Sequence, residues 1–177
     1  MLRIILTYGV LAGVVVAVPM FALLALTDDL NSWQGSQITG YALMILALSM
    51  IFVGVKSYRD QVKGGVIKFL PAFLVGLGIS AVAALVYTIG WEITLAMTDY
   101  RFASDYTASA LAAAAAKGMS GAELETMRAQ YAEFEEMYAN PLFRLPTTFI
   151  EIFPVGLIIS LIAAALLRNP RVFPARG

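Results

Sequence analysis

Residues 69–97 read FLPAFLVGLGISAVAALVYTIGWEITLAM, a run whose only charge is Glu92. About 20 apolar residues in a helix cross the ~30 Å hydrocarbon core of a bilayer, so this segment is a membrane span with length to spare. The surplus predicts that the helix tilts or that its last turns rise above the bilayer. Tyr87 and Trp91 then fall near the outer interface, where amphipathic rings are favoured. Three further segments share this character. Residues 4–26 carry no charge and are too long for a signal-peptide apolar core of about 7–15 residues, so an uncleaved helix is expected, bent in its outer half by Pro19. Residues 38–55 form the second span and residues 147–167 the fourth.

The whole chain agrees. Hydrophobic residues make up 60% and charged residues 14% of its 177 positions, and the mean hydropathy is +0.79; soluble domains sit nearer 45–50% apolar and about 25% charged. The zero formal net charge predicts no nucleic-acid partner. Cysteine and histidine are both missing, which removes disulfides, thiolate chemistry and imidazole acid–base catalysis. No Gly-rich phosphate loop or nucleophile motif is present, so the expectation is a non-enzyme without cofactor or metal.

Orientation follows from the connections. Arg3, the segment with Lys56, Arg59, Lys63 and Lys68, and the tail with Arg168, Arg171 and Arg176 fall on one side. Arg101, Lys117, Arg128 and Arg144 fall on the other, diluted by Asp28, Asp29, Asp99, Asp105 and glutamates. The excess of bases on the first side places both termini in the cytoplasm of a bacterial inner membrane, with loop 27–37 and insert 98–146 outside, in the periplasm. The expected fold is all-α, a single domain over 1–177 with four transmembrane helices and an extracytoplasmic helical hairpin between the third and fourth. In the hairpin, Ser104 is expected to cap an alanine-rich helix that ends at Lys117 and Gly118. SGAE at 120–123 has capping-box spacing. The helix after it carries Leu124, Met127, Tyr131, Phe134 and Tyr138 in a narrow apolar seam, a candidate docking surface. Asn140-Pro141 stops that helix.

Small residues recur every fourth position: Gly9, Gly13 and Ala17 in the first span, Gly76, Ser80 and Ala84 in the third, Gly156, Ser160 and Ala164 in the fourth. Such faces let membrane helices approach closely. VGLGIS at 75–80 is echoed by VGLIIS at 155–160, either a trace of inverted repeats of the transporter kind or a chance match of common residues. Two carboxylates, Glu92 and Glu151, fall toward the outer side. They read either as a paired site for a cation or proton, or as an interfacial group beside Trp91 and a structural acceptor eased by the nearby helix start. Pro154 leaves the carbonyl of Ile150 without its usual donor and so suggests a polar opening beside Glu151.

GVKSYRD at 54–60 is followed by Gly64-Gly65 and an aromatic. Lys56, Ser57, Tyr58, Arg59, Asp60, Lys63 and Lys68 form a cytoplasmic stretch that sets topology or grips anionic headgroups. Together with ILTYGVLAG at 6–14, YTIGWEI at 87–93, YANPL at 138–142 and FIEIFPVGLIIS at 149–160, this stretch resembles the uncharacterised bacterial membrane-protein family known as domain of unknown function 4199. The resemblance covers nearly the whole chain. It implies four membrane helices with an extracytoplasmic insert between the third and fourth, and no activity.

Three functions fit these features. The first is an accessory or scaffolding subunit that assembles with other integral membrane proteins or as a homo-oligomer, in contact with membrane lipids. The second is a small oligomeric ion- or proton-coupled permeation unit using Glu92 and Glu151. The third is a lipid-interacting or sensory protein.

Overall fold

A computed structural model describes residues 1–26 and 37–174, with side chains from 1–19 and 41–174. Loop 27–37, with Asp28 and Asp29, lies outside the described residues apart from Gln37. All regular structure described is helical: α1 (Leu2–Leu26), α2 (Gln37–Leu48), α3 (Met50–Val62), α4 (Phe69–Met97), α5 (Phe102–Ala116), α6 (Ala122–Ala139) and α7 (Pro141–Leu167). Four stretches are long and apolar enough to cross a membrane: Leu2–Pro19, Tyr41–Val62, Phe69–Met97 and Pro141–Leu167. α1 runs through Pro19 to Leu26. α2 and α3 together supply the second span. The Ser49 hydroxyl donates back to the carbonyl of Leu46 at 2.5 Å, a side-chain bond that competes with the helical ladder and marks the break between them.

α4 is the hub. On one side it packs parallel to α1, and the glycines set how close the two come. A Cβ on Gly9 would stand 2.5 Å from the Cβ of Val82, and one on Gly13 would stand 2.5 Å from the Cβ of Val86. One turn further on, Ala17 meets Gly90. Each four-residue step along α1 is thus matched by four residues in the same direction along α4.

On its other side α4 packs antiparallel to α7. A Cβ on Gly76 would meet the Ser160 Cβ at 2.9 Å, and one on Gly156 would meet the Ser80 Cβ at 2.7 Å. Each glycine seats the other helix's serine. The echoed VGLGIS and VGLIIS therefore have a packing role in common: they form the two halves of one antiparallel contact with local two-fold character. The seam continues as Ala84 and Thr88 on α4, and as Ala164 below and Ile152, Thr148 and Arg144 above on α7, all buried. Lipid supplies little hydrophobic drive between helices, so close packing of small residues holds this seam. The opposite faces carry Leu70, Leu85, Ile89, Ile158 and Ile162, all exposed, as suits groups that face hydrocarbon.

The helix ends differ from expectation in four places. α3 runs on to Val62, so Lys56, Ser57, Tyr58, Arg59 and Asp60 lie on a helix and not in a loop. α7 begins at Pro141, six residues before the expected start. The Asn140 side chain accepts the amide of Leu142 at 3.0 Å and Pro141 supplies a first-turn position that needs no N–H donor. Asn140-Pro141 thus ends one helix and starts the next without a loop. In the insert, α5 begins at Phe102 and the Ser104 hydroxyl donates back to the carbonyl of Arg101 at 2.8 Å instead of capping. α6 starts after Gly121 with no side-chain cap, so the SGAE box does not form. α5 does end at Ala116, with Gly118 at φ +90°, a left-handed conformation that suits glycine.

Candidate functional site

The chemistry gathers where α4 ends, α5 begins, α6 ends and α7 begins. α4 stops at Met97, and Asp99 and Tyr100 both adopt positive φ (52° and 55°). The Tyr100 amide closes back on the Leu95 carbonyl at 2.8 Å. Asp tolerates this left-handed turn and Tyr does so less readily. The turn brings the Tyr100 ring over the Arg144 guanidinium, 5.1 Å from ring centroid to Cζ.

Arg144 is the centre of this junction. It sits one turn into α7 and its side chain is 4% exposed. Nε donates to Oε1 of Glu92 at 2.6 Å and Nη2 to Oε2 at 2.9 Å, a two-pronged geometry that a guanidinium suits and an ammonium does not. Nη1 donates to the carbonyl of Tyr138 at 2.8 Å, one of the last carbonyls of α6 that lack a helical donor. One side chain therefore ties the end of α4, the end of α6 and the start of α7 together. The same junction holds a hydrogen bond from the Trp91 indole N–H to the Tyr138 hydroxyl at 2.6 Å, and Phe102 stands edge-on to Trp91 at 4.8 Å. Burial holds the Tyr138 hydroxyl above the ordinary phenol range, so it stays neutral through physiological pH.

In the sequence Arg144 reads as one of the dilute outer charges. The signal for its role was available: stepping back by four from Ser160 and Gly156 reaches Ile152, Thr148 and then Arg144, just as stepping forward from Ser80 reaches Ala84, Thr88 and Glu92. The two charges are the last pair of the α4–α7 seam.

Glu92 and Glu151 are not held as a pair. Both oxygens of Glu92 accept from Arg144, whereas Glu151 accepts from the Tyr87 hydroxyl at 3.5 Å. With α7 starting at Pro141, Glu151 lies well beyond the first turn, where the helix dipole no longer favours an anion. The reading of an anion eased by a helix start is corrected accordingly. α7 is continuous through Pro146 and Pro154, and the Ser80 hydroxyl reaches the carbonyl of Phe153 at 3.4 Å. Glu151 faces a cavity of about 650 Å³ between the insert and the spans. Its wall takes Tyr87 and Trp91 from α4, Phe102 and Tyr106 from α5, and Tyr131, Phe134 and Tyr138 from α6. Leu124, Met127, Tyr131, Phe134 and Tyr138 are all half-buried, and the last four line this cavity. The apolar seam of α6 is its inward face.

At the opposite end of the bundle a second buried arginine does a similar job. The Arg59 side chain is fully buried. It donates to Asp60 at 2.7 Å, to the carbonyl of Val172 at 2.9 Å and to that of Phe173, while Phe52 meets the Phe173 ring at 5.5 Å. Arg59 thus fixes the chain beyond α7 against α3. Lys56 pairs with Asp60 and Lys63 stands over the Tyr58 ring. Lys68 is exposed at the start of α4.

Residues 7–169 match the family described as "Protein of unknown function (DUF4199)". Neither a curated protein nor a solved structure matches the chain. The chain belongs to this family.

Proposed function

We propose that this member of the DUF4199 family is a non-enzymatic accessory or scaffolding subunit of the bacterial inner membrane, assembling with other integral membrane proteins or with further copies of itself. Both termini face the cytoplasm and α5–α6 face outward, the orientation that the distribution of basic residues favours.

The observation that carries this reading is the Arg144–Glu92 ion pair. It ties the base of the insert to two spans at the points where the chain enters and leaves it, and so gives the insert a fixed direction above the membrane. α6, held there, has none of its residues buried. It turns Glu123, Glu125, Glu133 and Glu136 to solvent. A helical pair of this length is marginal alone, and an acidic face of this kind suits a basic partner surface. The small-residue faces do not support the reading, because α1, α4 and α7 use them on one another.

The test replaces these four glutamates by lysine in cells and follows cross-links from the insert to its neighbours. The proposal expects the cross-links to be lost while the spans stay inserted; cross-links of unchanged yield would contradict it. A permeation unit remains the second reading because Glu151 faces a cavity, although Glu92 is held by Arg144. Glu151→Gln separates the two: lost ion uptake with assembly intact favours permeation.

A further inference from the structure

The cavity beneath α6 has a composition that the assembly reading does not use. Its walls are aromatic on three sides, and among the described residues that line it Glu151 is the one charged group. Arg144 lies behind Tyr138, which also borders a second, smaller cavity on the arginine's side, and Glu92 cancels its charge. An anion entering the larger cavity would meet no basic side chain among those residues. A hard metal ion would find one carboxylate where it needs six or more oxygen ligands. A substituted ammonium group finds both features that stabilise it: ring faces, whose quadrupoles attract a cation whose alkyl groups need no hydration, and a carboxylate to balance its charge. The volume lies within the ~300–1,000 Å³ typical of small-molecule sites.

We infer that this cavity binds an organic cation, an alkyl-substituted ammonium group, with Glu151 as counter-ion and the rings of α4, α5 and α6 as its cage. The inference is independent of the assembly reading. Such a group reaches the site from two sources: a soluble quaternary amine outside the cell, or the ammonium headgroup of a lipid in the outer leaflet. The Tyr87 hydroxyl stands 3.5 Å from the Glu151 carboxylate, a long contact, and its ring is part of the wall.

The test uses the full chain with Trp33→Phe, which leaves Trp91 as the only indole of the two, in nanodiscs of digalactosyldiacylglycerol, an uncharged lipid without an ammonium group, so that no surface potential concentrates the cation. Choline is titrated against its neutral isostere 3,3-dimethyl-1-butanol, and Trp91 emission is read. The inference expects a saturable response to choline, at least about tenfold tighter than to the isostere. Glu151→Gln should remove that advantage and leave the isostere unchanged. Equal affinities, no saturable response to choline, or full choline affinity in Glu151→Gln would each overturn it. The choline-to-isostere ratio decides the matter even if Glu151→Gln fails to fold. Repeating the titration in phosphatidylethanolamine discs separates the sources. Weakened choline binding identifies the lipid headgroup as occupant, and unchanged binding identifies a soluble amine.

Discussion

At the scale of single residues, two buried arginines act at the two ends of the bundle. Arg144 closes the α4–α7 seam and Arg59 fixes the tail. Removing one member of a buried charge pair leaves the other uncompensated, which costs about 3–5 kcal/mol. Glu92 is 24% exposed, so Arg144→Leu should cost about 3 kcal/mol, at the lower end of that range. Thermal unfolding in lipid discs measures this. The double variant Glu92→Leu with Arg144→Leu should lose less than Arg144→Leu alone, because no charge is then stranded; an additive loss would show that the pair is not coupled. At the other end, Arg59→Leu should release residues 169–174, read as faster amide exchange there with the spans unchanged. Neither arginine's role was visible in composition, where both counted as topology charges. Arg59 sits in a helix that outlasts its apolar stretch, and Arg144 in one that starts before its own.

At the scale of elements, the α4–α7 contact is the best test of how far a pattern can be read. The four-residue recurrence of small side chains was plain in the sequence, and so was the echo of VGLGIS in VGLIIS. What was not legible was that each half of the echo faces the other, since a run of small residues marks a close approach without naming its partner. The reciprocal seating makes a specific prediction. Gly156→Ala places a methyl against Ser80 and should destabilise the chain by about 1–3 kcal/mol, the usual cost of overpacking. Adding Ser80→Gly should recover most of that loss, whereas Ser160→Gly should not. Recovery by both would mean that the helices simply move apart. The insert was less legible. Alanine-rich and aromatic stretches identified its helices, but cap chemistry misplaced the start of α5, because local Ser and Thr signals compete with turns such as the one at Asp99 and Tyr100.

At the scale of the whole molecule, long apolar runs are the least ambiguous signal a sequence carries, and four such runs made the fold class readable from end to end. The site was readable only in part. Glu92, Glu151, Trp91 and the α6 seam were singled out, yet their grouping depends on how the insert folds back, which no local pattern encodes. The seam then faces a cavity and the acidic face is left outward. Reversing the charge of that face should therefore alter association and leave folding alone, whereas substitutions in the seam should alter folding or ligand binding first. The most direct test of the assembly account is the mass and composition of the native particle, extracted with its lipids from its own cells. The account predicts a particle larger than one chain, either a stoichiometric complex with other integral membrane proteins or an oligomer of this one. A homogeneous monomer would contradict it.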